Sequence, residues 1–142
     1  MKLAALVQGK GGTIHKIRAD ARVAEAAIVL TEHHIGALLV EDENGDVVGI
    51  FSERDIVRSM GPHGADLHDV AVSELMTRDI IQCSVNDTVN EVLAMMNDRH
   101  IRHLPVVDGS ELVGFISIRD LVRCRIDEIQ AEAEAMRQYI AS

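Results

Sequence analysis

Two seven-residue segments of this 142-residue chain place a glycine, a hydroxyl and a carboxylate at the same spacing: Gly49-Ile-Phe-Ser52-Glu-Arg54-Asp55 and Gly114-Phe-Ile-Ser117-Ile-Arg119-Asp120. In each, an apolar run ends at the serine and an amphipathic stretch follows, so the serine and the aspartate fall at a strand-to-helix junction. Backbone N–H groups at a helix start lack intrahelical acceptors and favour an anion. The combination suits a nucleotide. The serine hydroxyl and the helix-start amides can hold a phosphate, and the carboxylate can accept from both hydroxyls of a ribose. A structural role fits the same residues, with Ser52 and Ser117 as N-caps and Asp55 and Asp120 complementing the helix dipole. Arg54 and Arg119 stand in the first helical turn, where a cation opposes the dipole; contact with a phosphate and an ion pair across a dimer interface account for them equally.

The elements that position these residues come from an internal repeat. Val23-Ala-Glu25-Ala-Ala27 falls on Val89-Asn-Glu91-Val-Leu93, and His34-Ile35-Gly-Ala-Leu38-Leu-Val40 on His100-Ile101-Arg-His-Leu104-Pro-Val106, both at a shift of 66 (23 to 89, 34 to 100). A one-residue deletion in the next turn then brings Val48-Gly49 through Arg58 onto Val113-Gly114 through Arg123. Each copy opens with a helix, because Val23, Ala26, Ala27 and Leu30, and Val89, Val92, Leu93 and Met96, recur at helical spacing. Thr88 with Glu91 has the pattern of a capping box. The run Ala37-Leu-Leu-Val40 suits a strand covered on both faces, Asn44-Gly45 signals a hairpin, and Val47 to Phe51 or Leu112 to Ile116 supplies the second strand. Strand, helix, strand, strand, helix per copy predicts an α/β (α+β) domain with two small sheets packed face to face. The expected boundaries are residues 1–70 for the first repeat with its N-terminal segment, 71–126 for the second, and 127–142 for a helical extension. Met1 to Gly9 is expected as a short helix beside the first copy. In the extension, Ile126, Ile129, Ala133, Met136 and Ile140 recur at steps of three and four, a narrow seam suited to a partner helix.

Composition narrows the partners. Aromatic residues are 2% of the chain, against a nucleic-acid surface built on base stacking. A net charge of -9 repels a polyanion unless a local basic patch overrides it. No run approaches the ~18 apolar residues of a membrane span, and Leu3 to Val7 is shorter than the ~7–15 residue apolar region of a secretory signal. Cys83 and Cys124 form no CxxC and have no histidine at ligand spacing, which indicates neither a disulfide framework nor zinc. A soluble, reduced, cytoplasmic protein without a metal is expected. Gly9-Lys10-Gly11-Gly12 is basic and glycine-rich but lacks P-loop spacing. No nucleophile has an adjacent base, so an enzyme is not expected.

The duplicated unit, its Gly-x-x-Ser-x-x-Asp segments and the strand His103-Leu104-Pro105-Val106-Val107 resemble a tandem cystathionine-β-synthase (CBS) domain pair, or Bateman module, over residues 10–127. The resemblance implies two pseudo-twofold-related β-α-β-β-α repeats with helices outside, two clefts between them, and homodimers formed through helices. It also implies an adenosine-containing regulatory ligand such as AMP, ADP, ATP, NAD or S-adenosylmethionine, no catalytic cofactor, and a regulated partner protein. Carried over by position, Asp120 holds the ribose of one site and Ser117 lies near the phosphate. Arg102 and His103 form a basic pair, and the first repeat adds Lys10 to His15 with Ile35, Gly36 and Ala37. The pseudosymmetric site takes Asp55 and Ser52, with Thr77, Ile80 and Ile81 from the second repeat. Where the second repeat has Arg102-His103 the first has Gly36-Ala37, a departure that bears on equal affinity of the two sites. A docking or dimerisation scaffold without a ligand is the alternative function.

Overall fold

A computed structural model describes residues 1–10 and 13–141. In chain order the elements are α1 (Leu3–Gly9), β1 (Lys16–Arg18), α2 (Val23–His33), β2 (Ala37–Glu41), β3 (Val47–Ser52), α3 (Glu53–His63), a 3-10 segment Gly64–Asp69, α4 (Val72–Leu75), β4 (Cys83–Ser84), α5 (Val89–Arg99), β5 (His103–Asp108), β6 (Glu111–Ser117) and α6 (Ile118–Ala141). The β-α-β-β-α order expected from the repeat is present twice. Each copy has a three-stranded sheet, β1-β2-β3 or β4-β5-β6, with a parallel first pair and an antiparallel second pair. The chain divides into two compact units: one spans Ile14–Ile80, and the other joins the N-terminal segment to the chain from Ile81 onward.

Local sequence explains the elements. In the first-repeat unit, Val23, Ala26 and Leu30 bury one stripe of α2 against Leu38, Val40 and Phe51. The helix stops at His34, whose left-handed φ of 53° closes it. Gly45, at φ 83°, takes the turn between β2 and β3 that an L side chain adopts only with strain. In the other unit Val89, Val92 and Met96 of α5 pack on Leu104, Val106 and Ile116, and His100 closes the helix at φ 56°. Thr88 accepts the Glu91 N–H at 3.2 Å, the cap expected there.

Both segments expected to flank their own repeat lie against the other one. Around α1, Leu3 N–H donates to Asp87 O at 2.9 Å, Ala4 N–H to Val85 O at 3.1 Å, and Val89 N–H to Met1 O at 2.9 Å. Leu3 is fully buried in the core of the second repeat. Around α4, Val72 N–H donates to Ala21 O at 2.8 Å, Ser73 N–H to Ala19 O at 3.0 Å, and Val23 N–H to Val70 O at 2.9 Å. The expectation that Met1 to Gly9 packs beside the first copy is therefore corrected, and residues 71–80 pack with the first copy. In each unit the segment satisfies backbone groups of the loop before a helix and fills the socket beside it, a requirement hydrophobic periodicity does not reveal.

No described helix is long and apolar enough to cross a membrane. Among the described residues no group of three or more His, Cys, Asp or Glu side chains could hold a metal ion.

Candidate functional site

In the second-repeat unit, the end of β6 and the start of α6 form a reciprocal cap. Ser117 N–H donates to Asp120 Oδ2 at 2.9 Å, and Asp120 N–H donates to Ser117 Oγ at 3.2 Å. Lys10 joins the junction, donating from Nζ to Asp120 Oδ2 at 2.8 Å and to Phe115 O at 3.1 Å. Burial pushes the Asp120 carboxyl up, but the Lys10 and Ser117 hydrogen bonds and the Lys10 charge outweigh it and hold the group below its ordinary value. The carboxylate is ionised at neutral pH, with a cation on one oxygen, and its side chain is 25% exposed. Arg102 and His103 arrive from the start of β5. The Arg102 carbonyl accepts the Ile118 N–H at 2.8 Å, while His103 pairs across from Ser117 and stacks on Phe115 with ring centres 5.8 Å apart. Beside them Val7, Lys10, Thr13, Val113, Gly114, Phe115 and Ile116 line a small, open hollow.

The same motif closes differently in the first-repeat unit. Asp55 is 3% exposed. Its Oδ2 accepts the Ser52 N–H at 2.9 Å and the Ser52 hydroxyl at 3.2 Å. Its Oδ1 accepts from Arg58 and, at 3.4 Å, from the Thr77 hydroxyl. Asp55 N–H completes the capping box on Ser52 Oγ at 3.4 Å. The carboxylate is thus saturated by its own unit. Sequence reading missed Arg58, although its position three residues after Asp55 on one helix was the available signal.

The expected site residues segregate by unit. Lys10, Arg102, His103, Ser117, Arg119 and Asp120 belong with the second repeat, where Arg102 and Arg119 are exposed. Lys10 was expected in the Asp120 site as a contribution of the first repeat; it lies beside Asp120, but α1, anchored to the loop before α5, carries it within the second-repeat unit. His15, Ile35, Gly36, Ala37, Ser52, Arg54, Asp55, Thr77 and Ile80 belong to the other unit. Thr77, expected from the second repeat, pairs its backbone with Ile50 at 2.8 and 2.9 Å and so joins Asp55 within the first. Ile81 is half-buried against the second-repeat core. The Gly36 carbonyl accepts the Glu53 N–H at 3.0 Å, as Arg102 does for Ile118, so this position makes the same backbone contact in both units. His15 stacks on His33 at 4.0 Å. Gly11 and Gly12 lie outside the described residues. Burial, reinforced by the Asp87 charge, pushes the Cys83 thiol up to about 12, which leaves it protonated and inert.

Fold and junction define a class: a duplicated α/β module whose polar groups converge where strand meets helix. The model of the CBS domain matches residues 13–61 and 72–127, and the chain belongs to the CBS-domain family as a tandem pair. A mitochondrial CBS domain-containing protein of Arabidopsis thaliana is 31% identical over 125 residues, covering 85% of this chain. The chain spans 61% of that relative's length. The crystal structure of a CBS-domain containing protein from Agrobacterium tumefaciens matches with a TM-score of 0.84 at 36% identity, over 87% of this chain and 92% of that one. A CBS domain pair crystallised with 5′-methylthioadenosine and S-adenosyl-L-methionine matches with a TM-score of 0.73 at 25% identity, over 90% of this chain and 98% of that one.

Proposed function

We propose that the chain is a non-catalytic sensor of an adenosine-containing small molecule, of the AMP, ADP, ATP or NAD class, held at the junction between β6 and α6. The observation that carries this reading is Asp120: an ionised, partly open carboxylate at a helix start, with Lys10 on one oxygen and a hollow beside it. A ribose presenting two hydroxyls replaces Lys10 on the carboxylate, and the released ammonium turns to the ligand's phosphate. Ser117 and the first amides of α6 add donors for the same anion, and Arg102 and His103 supply further positive charge, which a chain of net charge -9 must provide locally. The adenosine-type ligands in a related CBS pair support the ligand class. Asp55, sealed by Ser52, Arg58 and Thr77, acts in this reading as a structural cap. Binding biases the conformation only by the ligand's differential affinity for the states involved, and a second copy of the chain or a regulated protein reads the outcome.

Isothermal titration of nucleotide-stripped protein with AMP, ATP, NAD and S-adenosylmethionine tests this. One of them is expected to bind, and Asp120→Ala, which removes two charge-assisted hydrogen bonds, to weaken it roughly tenfold to a hundredfold. Asp55→Ala is expected to lower stability by about 1–3 kcal/mol through the lost cap while leaving affinity within about threefold. No binding at millimolar ligand, or binding indifferent to Asp120, refutes the reading and favours a ligand-free scaffold.

A further inference from the structure

The final helix carries a feature that ligand binding leaves unused. α6 runs 24 residues, and its first turns bury Leu121 and Cys124 in the second-repeat core. A different stripe of the same helix faces outward: Val122 is 44% exposed, Ile126 and Ile129 50%, Met136 60% and Ile140 78%. With Ala133 these positions step 4, 3, 4, 3, 4 (122, 126, 129, 133, 136, 140), the a and d positions of a seven-residue repeat. The matched family model ends at residue 127, so most of the seam lies beyond the shared fold.

We propose that this seam is a parallel, in-register two-stranded coiled coil with a second copy of the chain. Charge selects the occupant and its direction. In a parallel pair each flanking residue meets the residue five positions on in the other helix, so Glu132 faces the partner's Arg137, twice by symmetry. Arg125 meets the neutral Gln130 of the partner subunit, and no like charges oppose. The antiparallel arrangement that matches the same apolar layers sets Glu132 against the partner's Glu132 and Arg123 against the partner's Arg137, both repulsive. Ala133 in the central layer lets the two backbones approach. Glu134, now 3.4 Å from Arg137 along its own helix, lies on the outer side and does not compete for the seam. A segment of this length is marginal as an isolated helix in water, and burying its apolar stripe supplies the missing stabilisation.

Sedimentation equilibrium of the full chain without nucleotide is expected to give twice the 15.6 kDa chain mass. Ile129→Glu with Met136→Glu, exposed positions whose change leaves the circular dichroism of the units intact, is expected to give the single mass. Arg137→Glu should weaken the dimer about five- to tenfold, and Glu132→Arg added to it should restore the affinity. On mild oxidation Ala133→Cys should cross-link between chains where the wild type does not. A monomeric wild type, a dimer that survives both glutamates, or an Ala133→Cys variant that fails to cross-link overturns the proposal; the last result would indicate an antiparallel or staggered pair. Because nucleotide is absent throughout, these outcomes are independent of ligand binding at Asp120.

Discussion

Asp55 and Asp120 occupy one place in two copies of a motif, and their cations set them apart. Arg58 reaches Asp55 from the next helical turn, whereas Lys10 reaches Asp120 from 110 positions away. The Ser-x-x-Asp pairing was legible because a capping box is a local pattern. The cation on Asp120 was not legible from spacing, because no spacing rule links residue 10 to residue 120; only the family resemblance put Lys10 at that site. This difference has a pH signature. Asp120's folded pKa lies below its unfolded value near 4. The stability it contributes is therefore fully present above about pH 4 and disappears as pH falls through the folded pKa. Lys10→Met is expected to lower stability at pH 7 by about 0.5–1 kcal/mol, since both partners are partly solvated and screened. Urea midpoints of the two proteins should converge as the pH is lowered below 4. A gap between wild type and Lys10→Met that does not narrow at all as the pH falls through the carboxylate range would mean that the ion pair contributes no linkage.

The strands and the elements around them show which part of the repeat was readable. Apolar spacing marked α2 and α5 by their buried stripes, and Asn44-Gly45 placed the hairpin between β2 and β3. The helix ends at His34 and His100 were not legible as left-handed closures, since glycine or asparagine is the usual signal for that conformation. Nor did Gly49 and Gly114 disclose what lies over them. A Cβ on Gly49 would stand 2.6 Å from Met76 Sδ and 3.0 Å from the Thr77 carbonyl. One on Gly114 would stand 3.0 Å from a methyl of Val7. These glycines admit the Met76-Thr77 segment after α4 and the Val7 side chain of α1 to the two sheets. Gly49→Ala meets backbone that is itself paired to Ile50 and cannot withdraw, so a loss of about 2–3 kcal/mol is expected. Gly114→Ala meets only a side chain on a helix that can shift by a few tenths of an ångström, and about 1 kcal/mol is expected. Equal denaturation midpoints for the two variants would show that Thr77 yields as readily as Val7.

Across the whole chain, the duplication is exchanged at its edges: each compact unit takes its covering segment from outside the repeat that forms its sheet. The shift of 66 exposed the duplication, yet it could not assign α1 or α4, because both segments lie outside the aligned strands and helices and each is compatible with either core. Backbone hydrogen bonds decide it, since Leu3 and Val72 make equivalent bonds, to Asp87 and Ala21, and both side chains are fully buried. A core leucine truncated to alanine costs about 2–5 kcal/mol, and a valine, with fewer methyl groups removed, somewhat less. The location of that loss is the distinctive outcome. Leu3→Ala is expected to accelerate amide hydrogen exchange in β5 and β6, more than seventy residues further along the chain, while β2 and β3 keep their protection through sub-global opening. Val72→Ala should do the converse, loosening β2 and β3 and sparing β5 and β6. Were Leu3→Ala instead to loosen the strands nearer to it in sequence, the exchange of segments would be wrong, and α1 would belong to the repeat it precedes.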